Sequence, residues 1–201
     1  MQVIASLVTL RTLLVSAVSS VFLSVCASTQ TTGSTAPPNV FLQLKHQKQD
    51  INLCVPTAAS MVLEYYGENR DPKYLKSIAT PPGSTFPGTY MKDMVAGVRK
   101  LGYRWEQECF STDGAGFLQG LPKLKRSVLD RRPVMVGVYD PPIGHVVVLV
   151  GVDDAKKELT FLDSNKPYPG LWTVTEDRFR TMWRENIVNS RCAIISRPRK
   201  A

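Results

Sequence analysis

The sequence predicts an α+β protein with helices in the first half of its folded region and an antiparallel sheet in the second half. Apolar residues recur at helical spacing in the first half, whereas Val- and Leu-rich runs separated by turns dominate the second half. A chain of 201 residues with ordinary apolar content is long enough to bury one substantial core. One folded domain is therefore expected.

The first half is expected to contain a short strand followed by helices. After Cys54, apolar residues lie on one helical face, and Gly67 is a natural end for that helix. Asp71 followed by Pro72 is typical of a helix start, while the Pro and Gly content of residues 80–90 predicts a loop. The expected elements are a strand over 39–44 and helices from Cys54 to Gly67, over 71–79 and over 91–103. Within the segment 118–132, a further helix is expected from Pro122 onward.

The second half is expected to form most of the sheet. Its strands are indicated by runs of Val, Leu and Ile, and residues 153–158 are expected to be a hairpin turn. Thr175 is expected to cap a short helix that extends to residue 185. The expected strands cover 133–139, 145–153, 158–163 and 192–197.

The chain begins with the pattern of an exported protein. Residues 1–27 carry one positive charge, Arg11, before an apolar run that is too short to span a bilayer comfortably, as in a signal peptide. Residues 28–39 are rich in Ser, Thr and Pro, which predicts a flexible linker. The folded domain is expected over 40–201, and the protein in the cell envelope, the periplasm or the medium.

Cys26 allows two ends for this signal peptide. In one, "LSVC" is a bacterial lipobox and Cys26 is the lipidated first residue, although Val25 stands where a small residue is usual. In the other, "VCA" is the cleavage site and Ser28 is the first residue. The polar linker favours lipidation, since a membrane-held domain needs such a linker to stand clear of lipid.

Composition argues against several classes of function. The formal charge is +8, but the basic residues are scattered, and their densest run, 123–132, is expected to be a solvated helix face. No basic stripe with stacking aromatic residues indicates a nucleic-acid partner. The sequence has no C-x-x-C or H-x-x-x-H pattern and no Gly-rich phosphate loop, so neither a metal nor another cofactor is expected.

Three residues of the domain are candidates for chemistry. Cys54 begins a helix, where converging backbone N–H groups favour a thiolate. His145 begins an expected strand, and Asp163 ends the next one, so an antiparallel hairpin brings the two to the same end of the sheet. Each residue alone is more often structural, as a packed cysteine, a strand-end histidine or a turn aspartate. The only other histidine, His46, lies in a lysine-rich segment and is expected to be solvated.

In combination these residues resemble the papain-like cysteine peptidases, and within them the C39-like group. The motifs that carry the resemblance are "QDINLCVPTAASMVLEYYG", "GHVVVLVGVDD" and "FLDSN", which occur in the group's order across residues 40–197. The resemblance implies a papain-like fold with N-terminal helices packed on a C-terminal antiparallel sheet. It implies a peptide or protein substrate, Cys54 as nucleophile, His145 as base and Asp163 as its orienting partner.

The resemblance also implies a glutamine that helps the backbone N–H of Cys54 to stabilise an oxyanion. Its usual position, about six residues before the nucleophile, is occupied here by Lys48. Gln47 and Gln49 flank that position. Gln49 is the expected residue because it is closer to the turn, and Gln47 remains the alternative.

Two further cysteines have an open assignment. Cys109 and Cys192 both lie in expected strands, and export would permit a disulfide between them. The alternative is two buried thiols, because connectivity does not follow from sequence.

The expected function is an exported cysteine peptidase that works through a Cys–His–Asp triad and a thioester intermediate. An acyl or peptidyl transferase would need the same triad and differ only in the acceptor that reaches the thioester. A third alternative is an inactive, envelope-anchored binding protein. The intact order of Cys54, His145 and Asp163 argues against it, since a decayed site would be free to lose any of them.

Overall fold

A computed structural model of the chain describes residues 39–140, 143–184 and 189–199. The expected signal peptide, Cys26 and nearly all of the expected linker lie outside these residues. Within the described residues, no helix has the length and apolar character needed to cross a membrane.

The domain combines helices with an antiparallel sheet, which confirms the α+β class. In chain order the elements are β1 (Asn39–Phe41), α1 (Cys54–Tyr65), α2 (Pro72–Ala79), α3 (Met91–Lys100), β2 (Glu106–Phe110), α4 (Gly114–Leu129), β3 (Val134–Asp140), β4 (Ile143–Asp153), β5 (Glu158–Leu162), β6 (Leu171–Thr175), α5 (Glu176–Met182) and β7 (Arg191–Ile195).

Within the described residues, the sheet has seven strands in the order β2-β7-β3-β4-β5-β6, with β1 added beside the last part of β4. Every recorded strand pair is antiparallel. The long strand β4 pairs with β3 through its first part and with β1 through its last part, while β5 lies on its other side. Strand β4 is therefore the central element of the sheet.

Helix α1 lies in the core and packs on β4 and α2. Every residue from Val55 to Leu63 is buried, including the polar Thr57 and Ser60. Ser60 satisfies its hydroxyl by donating a 2.6 Å hydrogen bond to the carbonyl of Arg70. Because a close-packed core resists movement of its members, the first residue of α1 is held on a rigid support.

Local signals located α1 and α2 correctly. Gly67 ends the first helix with a φ of +85°, and Asp71 caps the second by accepting from the N–H groups of Lys73 and Tyr74. Helix α3 ends at Lys100 rather than at residue 103. The chain turns there through Gly102, and Tyr103 is buried edge-on against Trp105 instead of continuing the helix.

Helix α4 begins eight residues earlier than Pro122, the residue from which the sequence predicted it. Asp113 caps it by accepting a 2.8 Å hydrogen bond from the N–H of Gly116. Gly120 lies in the part of α4 that was not predicted, and packing requires a glycine there, because a Cβ would lie 2.8 Å from the Phe110 ring. Pro122 lies inside the helix, where it supplies no N–H to the carbonyl of Leu118 four positions earlier.

The sheet contains strands that the sequence prediction placed differently or missed. Strand β1 is shorter than the predicted 39–44, and β1 and β2 join the sheet from the helical half. Strand β6 was missed because its residues are alternately exposed and half-buried at the edge of the sheet, so no apolar run marks it. A disulfide joins Cys109 of β2 to Cys192 of β7, which lie directly opposite each other in the strand register.

Candidate active site

Cys54 is the first residue of α1 and is half-buried. The preceding turn passes through Asn52 at a φ of +60°, and the N-cap residue, Leu53, supplies no side-chain hydrogen bond. Pro56 has no N–H, so the first turn presents the N–H groups of Cys54 and Val55 without a side-chain cap. Such groups form a positive end that can bind negative charge.

His145 lies near the start of β4, between Cys54 and Asp163. Its Nε2 atom is 2.7 Å from Oδ1 of Asp163, and Cys54 lies close enough to the ring to raise its pKa. The imidazole is nearly buried, with 11% of its side chain exposed. The structure therefore brings together the three residues that the sequence proposed for chemistry.

Asp163 follows β5 and begins the segment 163–170, which we call the Asp loop. Its Oδ1 atom accepts a second hydrogen bond, of 2.8 Å, from the N–H of Asn165. Its backbone N–H donates to the carbonyl of Gly170 at 2.9 Å, which closes the loop on itself. Hydrogen bonds within its own loop therefore help to hold the carboxylate in position beside His145.

The pKa of His145 is raised from 6.5 to about 9. Burial by itself would lower this pKa, because it removes water from the charged imidazolium. The hydrogen bonds and negative charges of Asp163 and Cys54 outweigh that effect. At neutral pH the imidazolium form is therefore favoured.

The pKa of Asp163 moves in the complementary direction. Burial would raise it, but the hydrogen bond and charge of His145, together with the N–H of Asn165, hold it below its usual value. Asp163 therefore remains a carboxylate that stabilises a positive ring beside it.

The structure separates the two candidate glutamines. Gln47 donates from Nε2 to Glu64 in the last turns of α1, at 2.9 Å. Gln49 instead contacts the Asp loop: its backbone N–H donates to the carbonyl of Ser164 at 3.0 Å, and its Oε1 accepts from the Ser164 hydroxyl at 2.7 Å. Of the two, Gln49 is the one that lies beside the triad's loop.

His46 is half-buried rather than solvated, so that expectation was wrong. Its Nε2 is 3.1 Å from the carbonyl oxygen of Asp163, which requires this nitrogen to donate. The ring also meets Tyr168 edge-on, with the centroids 6.2 Å apart. The lysine-rich surroundings gave no hint of this contact, because its partner lies 117 residues away.

Over the ranges 39–140, 143–184 and 189–199, the acidic, histidine and cysteine side chains form no group of three or more that could hold a metal ion. The arrangement around Cys54 instead has the parts needed for nucleophilic chemistry: a thiol, an imidazole and a carboxylate in series.

Comparison with solved structures identifies the fold as that of C39 and papain-like peptidase domains. A proposed C39-like peptidase from Bacillus anthracis is 17% identical with a TM-score of 0.59, over 82% of this chain and all of that one. The peptidase domain of Streptococcus ComA, a bifunctional ABC transporter of a quorum-sensing pathway, is 19% identical with a TM-score of 0.57, over 78% of this chain and 98% of that one. A double-glycine-motif protease from an AMS/PCAT transporter, in complex with the leader peptide, is 17% identical with a TM-score of 0.54, over 78% of this chain and 94% of that one.

The family is identified by sequence. The model of the Peptidase_C39-like family matches residues 39–187, which is most of the folded region, and this chain belongs to that family. A search among curated proteins finds no match.

We predict that the imidazole of His145 titrates with a pKa of about 9 and that Asp163→Asn lowers this pKa by removing an anion. Because the folded pKa lies above 6.5, the contribution of His145 to stability is complete below pH 6.5 and is lost as the pH rises through about 9. NMR titration of labelled histidine measures this, with His46→Gln assigning the two signals. A wild-type pKa near 6.5 that Asp163→Asn leaves unchanged would contradict it.

We predict that Gly170→Ala destabilises the protein more than Gly67→Ala. Both glycines have positive φ, +68° and +85°, so both substitutions cost about 1–2 kcal/mol of backbone strain. A Cβ at Gly170 would also overlap the His46 ring and lie 2.8 Å from the Asp163 carbonyl, whereas nothing lies within 4 Å at Gly67. Overpacking adds about 1–3 kcal/mol. Urea unfolding measures the difference, and equal losses in the two variants would refute the predicted overlap.

Proposed function

We propose that this protein is an exported cysteine peptidase that hydrolyses peptide bonds with Cys54 as nucleophile and His145 as acid and base. The observation that carries the proposal is the position of His145, which lies 2.7 Å from the Asp163 carboxylate and close enough to Cys54 for the thiol to raise the pKa of the ring. This is the series of groups that activates a thiol for acyl transfer.

In the first half of the reaction, the Cys54 thiolate attacks the carbonyl carbon of the scissile peptide bond. The carbonyl oxygen becomes an oxyanion as the C–S bond forms. The imidazolium of His145 then donates its proton to the leaving amine as the C–N bond breaks, which leaves a thioester on Cys54. A raised pKa of His145 suits this step, since it keeps the proton available at neutral pH.

In the second half, His145 acts as a base. It takes a proton from water as the water oxygen attacks the thioester, and the C–S bond then breaks, which releases the carboxyl product and returns Cys54 to its thiolate. A transferase would follow the same path to the thioester and use an amine or hydroxyl acceptor in place of water. Product analysis with and without an added amine acceptor separates these two outcomes.

Two donors are proposed for the oxyanion. The uncapped N–H of Cys54 is one, since it lies at the positive end of α1. The side-chain NH₂ of Gln49 is the other, because Ser164 occupies the oxygen side of the same amide and leaves the nitrogen side for another acceptor. Donors placed in advance are effective because they need no reorganisation as the charge develops.

We also propose that the peptidase is exported and held at the membrane through a lipid on Cys26. The support is the apolar leader, the "LSVC" stretch and the polar linker before residue 40. The disulfide between Cys109 and Cys192 also supports an oxidising compartment. Anchoring would raise the local concentration of the enzyme near envelope substrates.

We predict that Cys54→Ala abolishes turnover of fluorescein-labelled casein and that His145→Ala lowers it by about 10²-fold or more. Asp163→Ala should cost less, because Asp163 acts only through His145. Mass-spectrometric mapping of iodoacetamide on the reduced protein tests the same site without a substrate: Cys54 should label rapidly, and His145→Ala should slow it.

Gln47→Ala is the matched control for Gln49→Ala in the same assay. Gln49→Ala should lose activity through the oxyanion, whereas Gln47→Ala removes only a contact with Glu64. Full activity in Cys54→Ala would refute the proposal. So would loss of activity in His46→Ala together with its retention in His145→Ala.

The anchoring proposal predicts that the wild-type protein fractionates with membranes and that Cys26→Ala does not, because the variant lacks the thiol that carries the lipid. Cell fractionation followed by N-terminal analysis measures this. A soluble wild-type protein beginning at Ser28 would show ordinary signal cleavage instead.

A further inference from the structure

The segment before the nucleophile binds three successive carbonyl groups of the Asp loop. The carbonyl of Asp163 accepts from His46, that of Ser164 from the Gln49 backbone N–H at 3.0 Å, and that of Asn165 from the Lys48 ammonium. These hydrogen bonds fix the position of residues 46–49 relative to residues 163–165, although the two irregular segments lie more than 110 residues apart in sequence.

One further contact joins the same two segments through side chains. Ser164 is fully buried, and its hydroxyl donates a 2.7 Å hydrogen bond to Oε1 of Gln49. The three hydrogen bonds to main-chain carbonyls already hold the segments together, so this hydroxyl is not needed for their association. Its specific effect is on the orientation of the Gln49 amide.

We propose that Ser164 is a positioning residue that fixes which face of the Gln49 amide meets the reacting carbonyl. With Oε1 bound to Ser164, the amide oxygen is committed to the Asp loop, and the NH₂ group is the one left to donate to the oxyanion. The inference rests on the proposed function, because it concerns the oxyanion donor of that reaction.

A glutamine amide is nearly symmetric in shape, so packing alone does not select one orientation. The flipped amide would present a second oxygen to the oxyanion, which repels it, and would withdraw a donor. Flipping would also leave the buried hydroxyl proton of Ser164 without the acceptor that Gln49 provides in the described structure, and a buried unpaired donor is unfavourable. The serine hydroxyl therefore selects the productive orientation.

The test is a double-mutant cycle in the full-length protein, measured as kcat and KM on fluorescein-labelled casein. Ser164→Ala should lower kcat about fivefold, the equivalent of one hydrogen bond, with KM little changed. Gln49→Ala should lower kcat about 10²-fold. The double variant should be no worse than Gln49→Ala, because Ser164 has nothing left to orient. Losses that multiply, or an unchanged kcat in Ser164→Ala, would overturn the inference.

Ser127→Ala is the matched structural control. Ser127 is also buried, and its hydroxyl donates to the carbonyl of Arg132 at 3.0 Å, within the turn that ends α4. Both alanine variants should have a lower free energy of unfolding in urea, but only Ser164→Ala should have a lower kcat. An equal loss of kcat in both variants would reduce Ser164 to a structural role.

A measurement without substrate separates this inference from the proposed function. The side-chain carbonyl carbon of Gln49, followed by ¹³C NMR, should shift in Ser164→Ala because its oxygen loses a hydrogen bond, and should stay in place in Ser127→Ala. If the wild-type protein has no turnover, the proposed peptidase activity fails. This carbon shift alone then decides whether Ser164 holds the amide, and an unchanged shift refutes it.

Discussion

The hydrogen bond between His145 and Asp163 is the constraint on which the rest of the site depends. It requires the beginning of β4 and the end of β5 to meet, which antiparallel pairing provides: Val148 lies opposite Leu162, so His145 and Asp163 project from the same end of the pair. Burial alone would lower the pKa of His145, but the carboxylate that this pairing delivers, together with Cys54, raises it and keeps the ring protonated at neutral pH. The register of β4 and β5 therefore helps to determine the protonation state of His145.

The third member of the triad is supplied by a different kind of element. Cys54 begins a helix whose residues from Val55 to Leu63 are buried, so its position is set by the core and not by the loop before it. The segment before Cys54 and the Asp loop then have only to be fixed relative to two rigid supports, helix α1 and the strand pair β4–β5. Hydrogen bonds to the carbonyls of residues 163–165 do this without any regular structure.

Sequence patterns located what depends on local chemistry. The helix start at Cys54, the cap at Asp71 and the strand ends at His145 and Asp163 are all marked by their neighbours in the chain. What the patterns missed depends on partners that are distant in sequence. His46 and Ser164 acquire their contacts across more than 110 residues, and α4 extends back through glycines whose use is visible only once Phe110 and Trp183 pack against Gly120. The choice between Gln47 and Gln49 likewise depended on which segment each amide would meet.

The contacts of Ser164 also show how fold and chemistry can be separated at one position. Its carbonyl accepts from the Gln49 N–H whatever side chain stands there, so the register of the two segments does not require a serine. The hydroxyl adds one buried hydrogen bond, which orients the Gln49 amide. With a residue at position 164 whose side chain has no donor, the carbonyl would still hold the two segments together, and the glutamine amide would have to be oriented by another group.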